Sequence, residues 1–352
     1  MSRKIRALVV DDSAFVRKVV SQMLARSPEI EVVGTARDGV DALEMVVRCN
    51  PDVVTLDLVM PRMNGVEFLR EQGARKPVPV VICSIAHETG EMALDAFEAG
   101  AVDFVRKPTA LATDRVYEIA DELIAKVIAA SQASLRTAPS PATVAAAAAV
   151  PSRRAGSLAG IEATAEIVVI GVSTGGPQAL RHLIPSLPAD FSVPIAIVLH
   201  MPVGYTKMYA ERLNEISSLA VVEAEEGTIL RPGVVWLAPA GQHLTFHRES
   251  SGVVRAHLDL RPLDTQHRPA VDVLFRSAAD VFGAGVLAVV MTGMGSDGTV
   301  GAGDIKARGG RVITEAASSC VVYGMPRAVV EAELSDRSAP LETLAEAIME
   351  ML

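Results

Sequence analysis

Short apolar runs alternate along the chain with longer stretches in which apolar residues recur at helical spacing. The runs are rich in valine and isoleucine and are apolar throughout, which is typical of strands buried on both faces of a parallel sheet. Strands that alternate with helices predict an α/β fold. The runs before residue 137 are "IRALVVDD", "IEVVGTA", "PDVVTLDL", "VPVVICS" and "DFVRKP". The runs after residue 160 are "EIVVIGVS", "PIAIVLH", "GVVWLAP", "GVLAVVMTG" and "GRVIT".

A segment of different composition separates the two sets of runs. Residues 137–160 read "TAPSPATVAAAAAVPSRRAGSLAG", with three prolines, a run of alanines and no acidic residue. Such a segment cannot bury enough apolar surface to fold alone, so we predict a flexible linker, although the alanines are also compatible with a short helix. The chain has 352 residues, which is long for one hydrophobic core. We therefore expect two doubly wound, mainly parallel-sheet α/β domains, at residues 1–136 and 161–352.

Composition and charge narrow the function classes. The formal net charge of −9 and the pI near 5.4 argue against binding to nucleic acid or to an anionic membrane surface. No apolar run approaches the ~18 residues of a membrane-spanning helix, and the first run is too short for a signal peptide. The cysteines, Cys49, Cys83 and Cys320, form no CxxC pair. These features predict a cytoplasmic protein with reduced thiols that neither inserts into a membrane nor binds nucleic acid.

Polar residues follow the strands of the first domain, where ligands of parallel sheets bind. Three of them are carboxylates, which repel each other in one pocket unless a cation joins them, and oxygen ligands of this kind suit Mg²⁺. A metal, a lysine and a hydroxyl around one aspartate favour phosphoryl transfer to that carboxylate. Any one of the acids, taken alone, is also compatible with a solvated loop. The residues are Asp11, Asp12, Asp57, Ser84 and Lys107.

In the second domain, Ser173, His200 and Asp297 each leave an apolar run at its carboxyl end. A serine becomes a nucleophile when a neighbouring imidazole takes its proton, and a carboxylate fixes the imidazole tautomer. The stretch "GVSTGGP", residues 171–177, also supplies backbone amides at a helix N-terminus, where an oxyanion is stabilised. A tight turn at the serine, and a capping role for Asp297 on the helix that begins near Thr299, are the alternatives.

A second motif predicts a different function for this domain. Residues 293–298, "GMGSDG", match G-x-G-x-x-G after a strand, and Glu315 lies about where a ribose-binding acid would be. The chain would then be a phosphorylation-switched binding protein whose second domain holds a dinucleotide without hydrolysis. Two features oppose this interpretation: Asp297 would face the pyrophosphate, and the motif comes late in its domain.

The first domain resembles the receiver domain of two-component response regulators. The matching stretches are "VVDDSAFVRKVV", "LDLVMPRMNGVEFL", "VVICS" and "GAVDFVRKP". The resemblance implies a flavodoxin-like fold, Asp57 as phosphoacceptor and Phe104 as an aromatic switch. It implies that Ser84 and Lys107 contact the phosphoryl group, and that the Lys107–Pro108 bond is cis. The implied Mg²⁺ ligands are Asp11, Asp12, Asp57 and the backbone carbonyl of Val59.

The second domain resembles the catalytic domain of the CheB family of chemotaxis protein-glutamate methylesterases. The matching stretches are "VVIGVSTGGPQAL", "VLHMPVGYTKMYAERLN", "GVVWLAPAGQHL", "HRPAVDVLFRSAA", "VVMTGMGSDGTVGA" and "VVYGMPRAVV". The resemblance implies a Rossmann-like methylesterase domain with Ser173 as nucleophile, His200 as base and Asp297 as its orienting residue. The amides of Thr174 and Met294 are the implied oxyanion donors, and the esterase reaction needs no cofactor.

The family resemblance also implies substrates, partners and regulation. The substrates are methyl-accepting chemoreceptors, which lose glutamate γ-methyl esters and are deamidated at certain glutamines, and a CheA-type histidine kinase is the phosphodonor. The receiver is expected to cover the active site until Asp57 is phosphorylated. The sequence departs from the family pattern at Val59, where an acid is common, and at Glu315, Ala316 and Ala317, where "QDE" is usual. Neither departure falls on a predicted triad residue, so both bear on the surface that meets substrate or partner, and thus on which receptor is served.

Overall fold

In the computed structural model, residues 3–75, 77–84, 90–107, 115–133 and 165–352 are described. The linker predicted at residues 137–160 lies outside these ranges, so the domain limits remain a prediction. Among the described residues, no helix is both long enough and apolar enough to cross a bilayer.

The first unit is a five-stranded parallel sheet with the strand order β2-β1-β3-β4-β5, the order of flavodoxin-like folds. Its strands are β1 (Ile5–Val10), β2 (Ile30–Ala36), β3 (Val53–Leu56), β4 (Val80–Ser84) and β5 (Asp103–Arg106). Its helices are α1 (Ala14–Leu24), α2 (Gly39–Cys49), α3 (Gly65–Arg75), α4 (Gly90–Glu98) and α5 (Arg115–Ser131). Every residue of β3 and β4 is buried, as the continuous apolar runs predict.

The second unit contains a seven-stranded parallel sheet, ordered β14-β13-β12-β6-β7-β9-β8, and a separate antiparallel hairpin of β10 and β11. Its strands are β6 (Ile167–Val172), β7 (Ile195–Leu199), β8 (Ala220–Glu223), β9 (Val234–Leu237), β10 (His243–Arg248), β11 (Val254–Asp259), β12 (Val286–Val290), β13 (Arg311–Glu315) and β14 (Arg337–Ala339). Its helices are α6 (Gly176–Leu183), α7 (Thr206–Glu215), α8 (Val271–Phe282), α9 (Thr299–Ala307), α10 (Met325–Glu331) and α11 (Leu341–Glu350), with two 3-10 turns at Ile184–Ser186 and Gly283–Gly285.

The structure confirms two α/β units with mainly parallel sheets, and each apolar run singled out in the sequence forms a strand. Four strands were not predicted. The hairpin strands β10 and β11 alternate buried and accessible residues, which is the pattern of a sheet with one wet face. Strands β8 and β14 lie at the two edges of the large sheet and have one buried residue each, so neither forms a continuous apolar run.

The strand order places the centre of the second sheet at β6. Both β7 and β12 pair with β6 in parallel, although β12 follows β7 in the chain by many residues. The order therefore reverses at β6, and such a switch point opens a crevice at the carboxyl ends of the strands, where ligands bind in α/β sheets. The loops after β6, β7 and β12 meet at this crevice.

Candidate active site

The three predicted triad residues lie at the switch point. Ser173 directly follows β6, His200 follows β7, and Asp297 lies on the loop between β12 and α9. His200 Nδ1 is 3.1 Å from Ser173 Oγ, and His200 Nε2 is 2.9 Å from Asp297 Oδ2. The structure thus brings together, at hydrogen-bonding distance, a hydroxyl, an imidazole and a carboxylate that are distant in sequence. This is the geometry of an activated serine.

Helix α8, rather than α9, is capped by Asp297. The Val271 amide donates to Asp297 Oδ2 at 2.8 Å and the Asp272 amide to Oδ1 at 2.9 Å. Asp272 Oδ1 in turn accepts from the amides of Gly298 and Gly301 at the start of α9. The alternative of Asp297 capping the helix near Thr299 is therefore wrong, because Asp272 already occupies that position.

Ionisation of Asp297 is favoured by its partners. Burial alone would raise the pKa of this carboxyl, but the hydrogen bond from His200 and the two α8 amides hold the pKa below its ordinary value. The N-terminus of α8 adds partial positive charge. A fixed carboxylate at Nε2 keeps the proton on that nitrogen, so Nδ1 can accept a proton from Ser173.

The same contacts exclude the dinucleotide interpretation. The amides at the N-terminus of α9, which would bind a pyrophosphate, already donate to the Asp272 carboxylate. Glu315 is 0% exposed, and its carboxylate accepts from the Thr292 amide and the Ser319 hydroxyl. Glu315 therefore cannot reach a ribose, and its side chain forms no part of the outer surface. Of the three departures from "QDE", only Ala317 is exposed.

The two predicted oxyanion donors flank the serine. Thr174 follows Ser173, and Met294 follows Gly293, which packs against Ser173: a Cβ added at Gly293 would lie 2.8 Å from Ser173 Cβ. Glycine is therefore required there. Within the part of the chain that the structure describes, neither the Thr174 amide nor the Met294 amide has a hydrogen-bond acceptor. Two unpaired amides beside a serine are suited to a developing negative charge, and their role stays a prediction.

One residue of the site, His267, was not predicted. Its ring stacks on the His200 ring with the centroids 4.0 Å apart and an interplanar angle of 25°. Burial, together with the neighbouring His200, lowers the pKa of His267 to about 4. His267 is thus neutral at neutral pH and adds no positive charge beside His200. His267 begins the stretch "HRPAVDVLFRSAA", so the resemblance of that stretch to the CheB family was the sequence signal that could have identified it.

The first unit contains the predicted acid pocket. The carboxylate oxygens of Asp11, Asp12 and Asp57 lie within 4.8 Å of one another. Lys107 Nζ is 2.7 Å from Asp11 and 2.6 Å from Asp57, and Ser84 Oγ donates to Asp57 Oδ1 at 3.3 Å. All five predicted side chains therefore converge. The cluster is compatible with a divalent metal ion, because it offers three oxygen donors with one open side at the exposed Asp12.

Burial and Lys107 have opposite effects on the pKa of Asp11 in this pocket. Burial raises the pKa of Asp11, and the hydrogen bond from Lys107 only partly offsets it. Burial also lowers the pKa of Lys107, but its hydrogen bonds to Asp11 and Asp57 outweigh that and raise it. The lysine therefore stays charged and compensates two of the three acids.

Other receiver predictions have mixed outcomes. Val59 lies on the loop after β3 with a side chain that is 53% exposed, as expected for a surface position. Pro108 lies outside the described residues, so the predicted cis bond after Lys107 stays a prediction. Gly65 was not predicted, although a Cβ there would lie 2.5 Å from the carbonyl oxygen of Asp57; the close approach of α3 to the aspartate requires glycine.

The receiver unit packs directly against the serine loop. The Gly175 amide, two residues after Ser173, donates to the carbonyl of Val102 at 3.0 Å. The Thr174 hydroxyl donates to the buried carboxylate of Asp103. Backbone and side chain of the loop are thus both bonded to the first unit.

Aromatic and amide contacts continue this interface. The predicted switch residue, Phe104, is buried against Tyr205, with the ring centroids 5.3 Å apart. Gln178 of α6 donates to the carbonyls of Phe97 and Ala101 at 3.2 and 3.1 Å. The residue expected to respond to phosphorylation therefore contacts the second unit itself.

Charged pairs form the rim of the interface. Arg181 of α6 lies 2.7 Å from Glu98 of α4. Arg212 of α7 lies 2.6 Å from Asp95 and 3.3 Å from Glu98. Glu98 therefore faces two arginines of the other unit.

Comparison with known proteins gives matches along nearly the whole chain. The family model for CheB methylesterase matches residues 168–348, and the response regulator receiver domain model matches residues 7–116. A protein-glutamate methylesterase/protein-glutamine glutaminase 5 of Myxococcus xanthus is 53% identical over 339 residues, which is 96% of this chain and 95% of the relative. A protein-glutamate methylesterase/protein-glutamine glutaminase of Geobacillus kaustophilus is 44% identical over 99% of both chains. The crystal structure of the Thermotoga maritima CheB methylesterase catalytic domain is 43% identical with a TM-score of 0.52, and it covers 54% of this chain and 100% of that one.

Proposed function

The chain belongs to the CheB methylesterase family, with a response regulator receiver domain ahead of the catalytic domain, and we propose that it hydrolyses glutamate γ-methyl esters on chemoreceptors and deamidates specific glutamines there. The observation that carries this proposal is the hydrogen-bonded series of Ser173, His200 and Asp297 at the sheet's switch point. The chemoreceptors and a CheA-type histidine kinase are the proposed partners, and we place the protein in the cytoplasm, where such kinases act.

The contacts support the following reaction. Ser173 Oγ attacks the side-chain carbonyl carbon while His200 Nδ1 accepts the hydroxyl proton, and the resulting imidazolium is stabilised by Asp297. The amides of Thr174 and Met294 stabilise the oxyanion. His200 then returns the proton to the leaving group, which is methanol from an ester or ammonia from a glutamine. His200 next deprotonates a water molecule that attacks the acyl carbon. The bond to Ser173 Oγ then breaks as this oxygen takes the proton back from His200, and the side chain leaves as free glutamate. This sequence needs no cofactor.

We propose that Asp57 is the phosphoacceptor of the receiver. Its carboxylate attacks the phosphorus of the donor, whose bond from phosphorus to the histidine nitrogen breaks, so that the donor leaves as free histidine. Ser84 and Lys107 contact the transferred group. The carboxylates of Asp11, Asp12 and Asp57, with the Val59 carbonyl, would hold Mg²⁺, which supplies positive charge for the transferred phosphoryl oxygens when bound. The convergence of three carboxylates supports this assignment.

The receiver acts on the esterase by blocking access to it. The hydrogen bonds that Thr174 donates to Asp103 and that Gly175 donates to Val102 attach the receiver to the loop that carries Ser173. Phosphorylation that draws Ser84 and Phe104 toward Asp57 alters the face that contacts Tyr205, and the population shifts toward open enzyme. The domain division at residues 137–160 would leave the receiver tethered beside the site, at high effective concentration.

Methanol release tests the enzymatic proposal. Full-length protein with a small phosphodonor and Mg²⁺ should release methanol from receptors methylated on glutamate, and Ser173→Ala should release none. A serine-directed fluorophosphonate should label the wild-type protein and not the variant. Labelling without methanol release from any methylated receptor would keep the nucleophile and reject the substrate class. Release by Ser173→Ala at the wild-type rate would reject the acyl-enzyme.

A further inference from the structure

One buried threonine connects three segments of the active site. Thr292 directly follows β12 and is 0% exposed. Its carbonyl accepts from the Ser173 amide at 3.0 Å, and its hydroxyl donates to the carbonyl of Thr174 at 2.9 Å. The same hydroxyl accepts from the Val322 amide at 3.0 Å. Thr292 therefore links its own loop, which follows β12, to the serine loop and to the loop after β13.

The fourth contact of Thr292 is to an acid that has no cationic partner. The Thr292 amide donates to Glu315 Oε2 at 2.8 Å, and the Ser319 hydroxyl donates to Oε1 at 2.9 Å. No lysine, arginine or histidine pairs with Glu315 in the described ranges. The other titratable groups around it are Cys320 and Glu342, and burial raises its pKa. A buried acid without a counter-charge is costly, so a function in holding Thr292 would account for it.

The position of Thr292 determines where the predicted oxyanion donors lie. Gly293 and Met294 continue the chain from it, and Gly293 is in contact with Ser173. On the other side, the Thr292 hydroxyl fixes the carbonyl of Thr174, the residue whose amide is the second predicted donor. A displacement of Thr292 would move one donor relative to the other and relative to the serine oxygen. Displacements near 1 Å can reduce a rate by roughly 100-fold.

We propose that Thr292 and Glu315 are positioning residues that hold the amides of Thr174 and Met294 in place around Ser173. Neither side chain touches the substrate. Both act through the backbone of the serine loop and of the loop after β12. This inference rests on the proposed acyl-transfer function.

The hydroxyl is tested with Thr292→Val and Thr292→Ser in the full-length protein, with phosphodonor and Mg²⁺ present. Valine keeps the shape of the side chain but removes the bonds to Thr174 and Val322, whereas serine keeps them. We expect Thr292→Val to lower kcat by roughly 10- to 100-fold, which is part of the ~10²–10³-fold rate increase that one oxyanion donor supplies. KM should stay within about twofold of the wild-type value, because substrate binding is not altered. Thr292→Ser should retain most of kcat. Thr343→Val, the same change on the exposed face of α11, should not differ from wild type.

The acid is tested with a pair of equal length, Glu315→Gln and Glu315→Met. Glutamine can accept from the Thr292 amide with Oε1 and donate to Ser319 Oγ, while methionine leaves that amide without an acceptor. We expect Glu315→Met to lower kcat about tenfold at unchanged KM, and Glu315→Gln to retain most of it. This pair also serves if Thr292→Val does not fold, which a thermal unfolding scan would show.

The outcomes separate this inference from the proposed function. If wild type releases methanol and both Thr292→Val and Glu315→Met keep kcat within twofold, the positioning role is wrong and the esterase assignment stands. A rise in KM at constant kcat would also overturn it, because it would indicate substrate contact. If wild type releases no methanol, the proposed substrate has failed; the fluorophosphonate labelling rate of Ser173 then serves as the readout for the same variants, with the same expected order.

Discussion

Replacing Glu98 with lysine should open the enzyme without phosphorylation. Glu98 lies at the end of α4 and faces Arg181 at 2.7 Å and Arg212 at 3.3 Å across the interface. Glu98→Lys removes both attractions and places a third positive charge beside two arginines. Asp95, which still pairs with Arg212, is unchanged, so the perturbation is confined to one side chain on the rim.

The magnitude follows from the exposure of these groups. The side chain of Glu98 is 36% exposed, and those of its two arginine partners are 30% and 26% exposed. Ion pairs of this kind contribute ~0.2–1 kcal/mol each, so losing two removes roughly 1 kcal/mol. The new repulsion adds about 1 kcal/mol at 4 Å in a solvent-like dielectric. A total of ~2 kcal/mol is about a 30-fold change in the ratio of open to closed enzyme.

Initial methanol release from a methylated receptor, measured without phosphodonor, reports this change. Glu98→Lys should be faster than wild type by up to ~30-fold, limited by the rate of the fully open enzyme, and phosphodonor should bring both proteins to a similar maximum. Raising the ionic strength should activate wild type, since salt screens exposed pairs. The matched control is Glu71→Lys, the same charge change at a glutamate that pairs within α3 with Arg75.

Two results would refute the reasoning. If Glu98→Lys is no faster than both wild type and Glu71→Lys, the interface seen in the structure does not limit the basal rate. If Glu98→Lys is faster but adding Arg181→Glu does not slow it again, the gain does not come from charge across this interface.

Three further outcomes are expected. His200→Ala should abolish methanol release with little change in the melting temperature. Asp297→Asn should lose most of the rate, since an amide no longer fixes the His200 tautomer that leaves Nδ1 free to accept the Ser173 proton. Near wild-type hydrolysis by either variant would argue against the triad. A small phosphodonor with Mg²⁺ should add one phosphoryl group, detected by intact mass, and Asp57→Ala or EDTA should prevent it; equal labelling with EDTA would remove the metal assignment. Burial raises the pKa of Glu315 above its ordinary value of 4.5, so this group favours the folded state below 4.5 and loses that contribution as the pH rises through its folded pKa. Glu315→Gln should therefore gain melting temperature relative to wild type as the pH rises through that range, and an advantage that does not grow with pH would contradict it.

The sequence by itself determined the α/β class and the positions of most of the candidate site residues. Strands buried on both faces of a parallel sheet must be apolar throughout, so they are visible as continuous runs such as "EIVVI" and "GVLAVV". The residues that follow these strands lie at the carboxyl edge of their own sheet because the strands are parallel. Asp57 lies at this edge of the first sheet and Ser173 at this edge of the second. Local pattern was sufficient wherever the functional residue is adjacent to such a strand.

Local pattern was insufficient for strands with one wet face and for edge strands. The hairpin of β10 and β11 alternates buried and accessible positions, and β8 and β14, at the two edges of the large sheet, have one buried residue each. Such strands gain their order from the neighbours they pair with, which the sequence does not identify.

The tertiary structure alone decided which groups each functional residue contacts. It placed Asp297 on the amides of α8 instead of α9, stacked His267 on His200, and buried Glu315 behind Thr292. It also set Glu98 against Arg212, residues separated by 114 positions in the chain. Apolar periodicity reports that a face is buried but not what it is buried against, because that depends on how distant elements pack around a shared core.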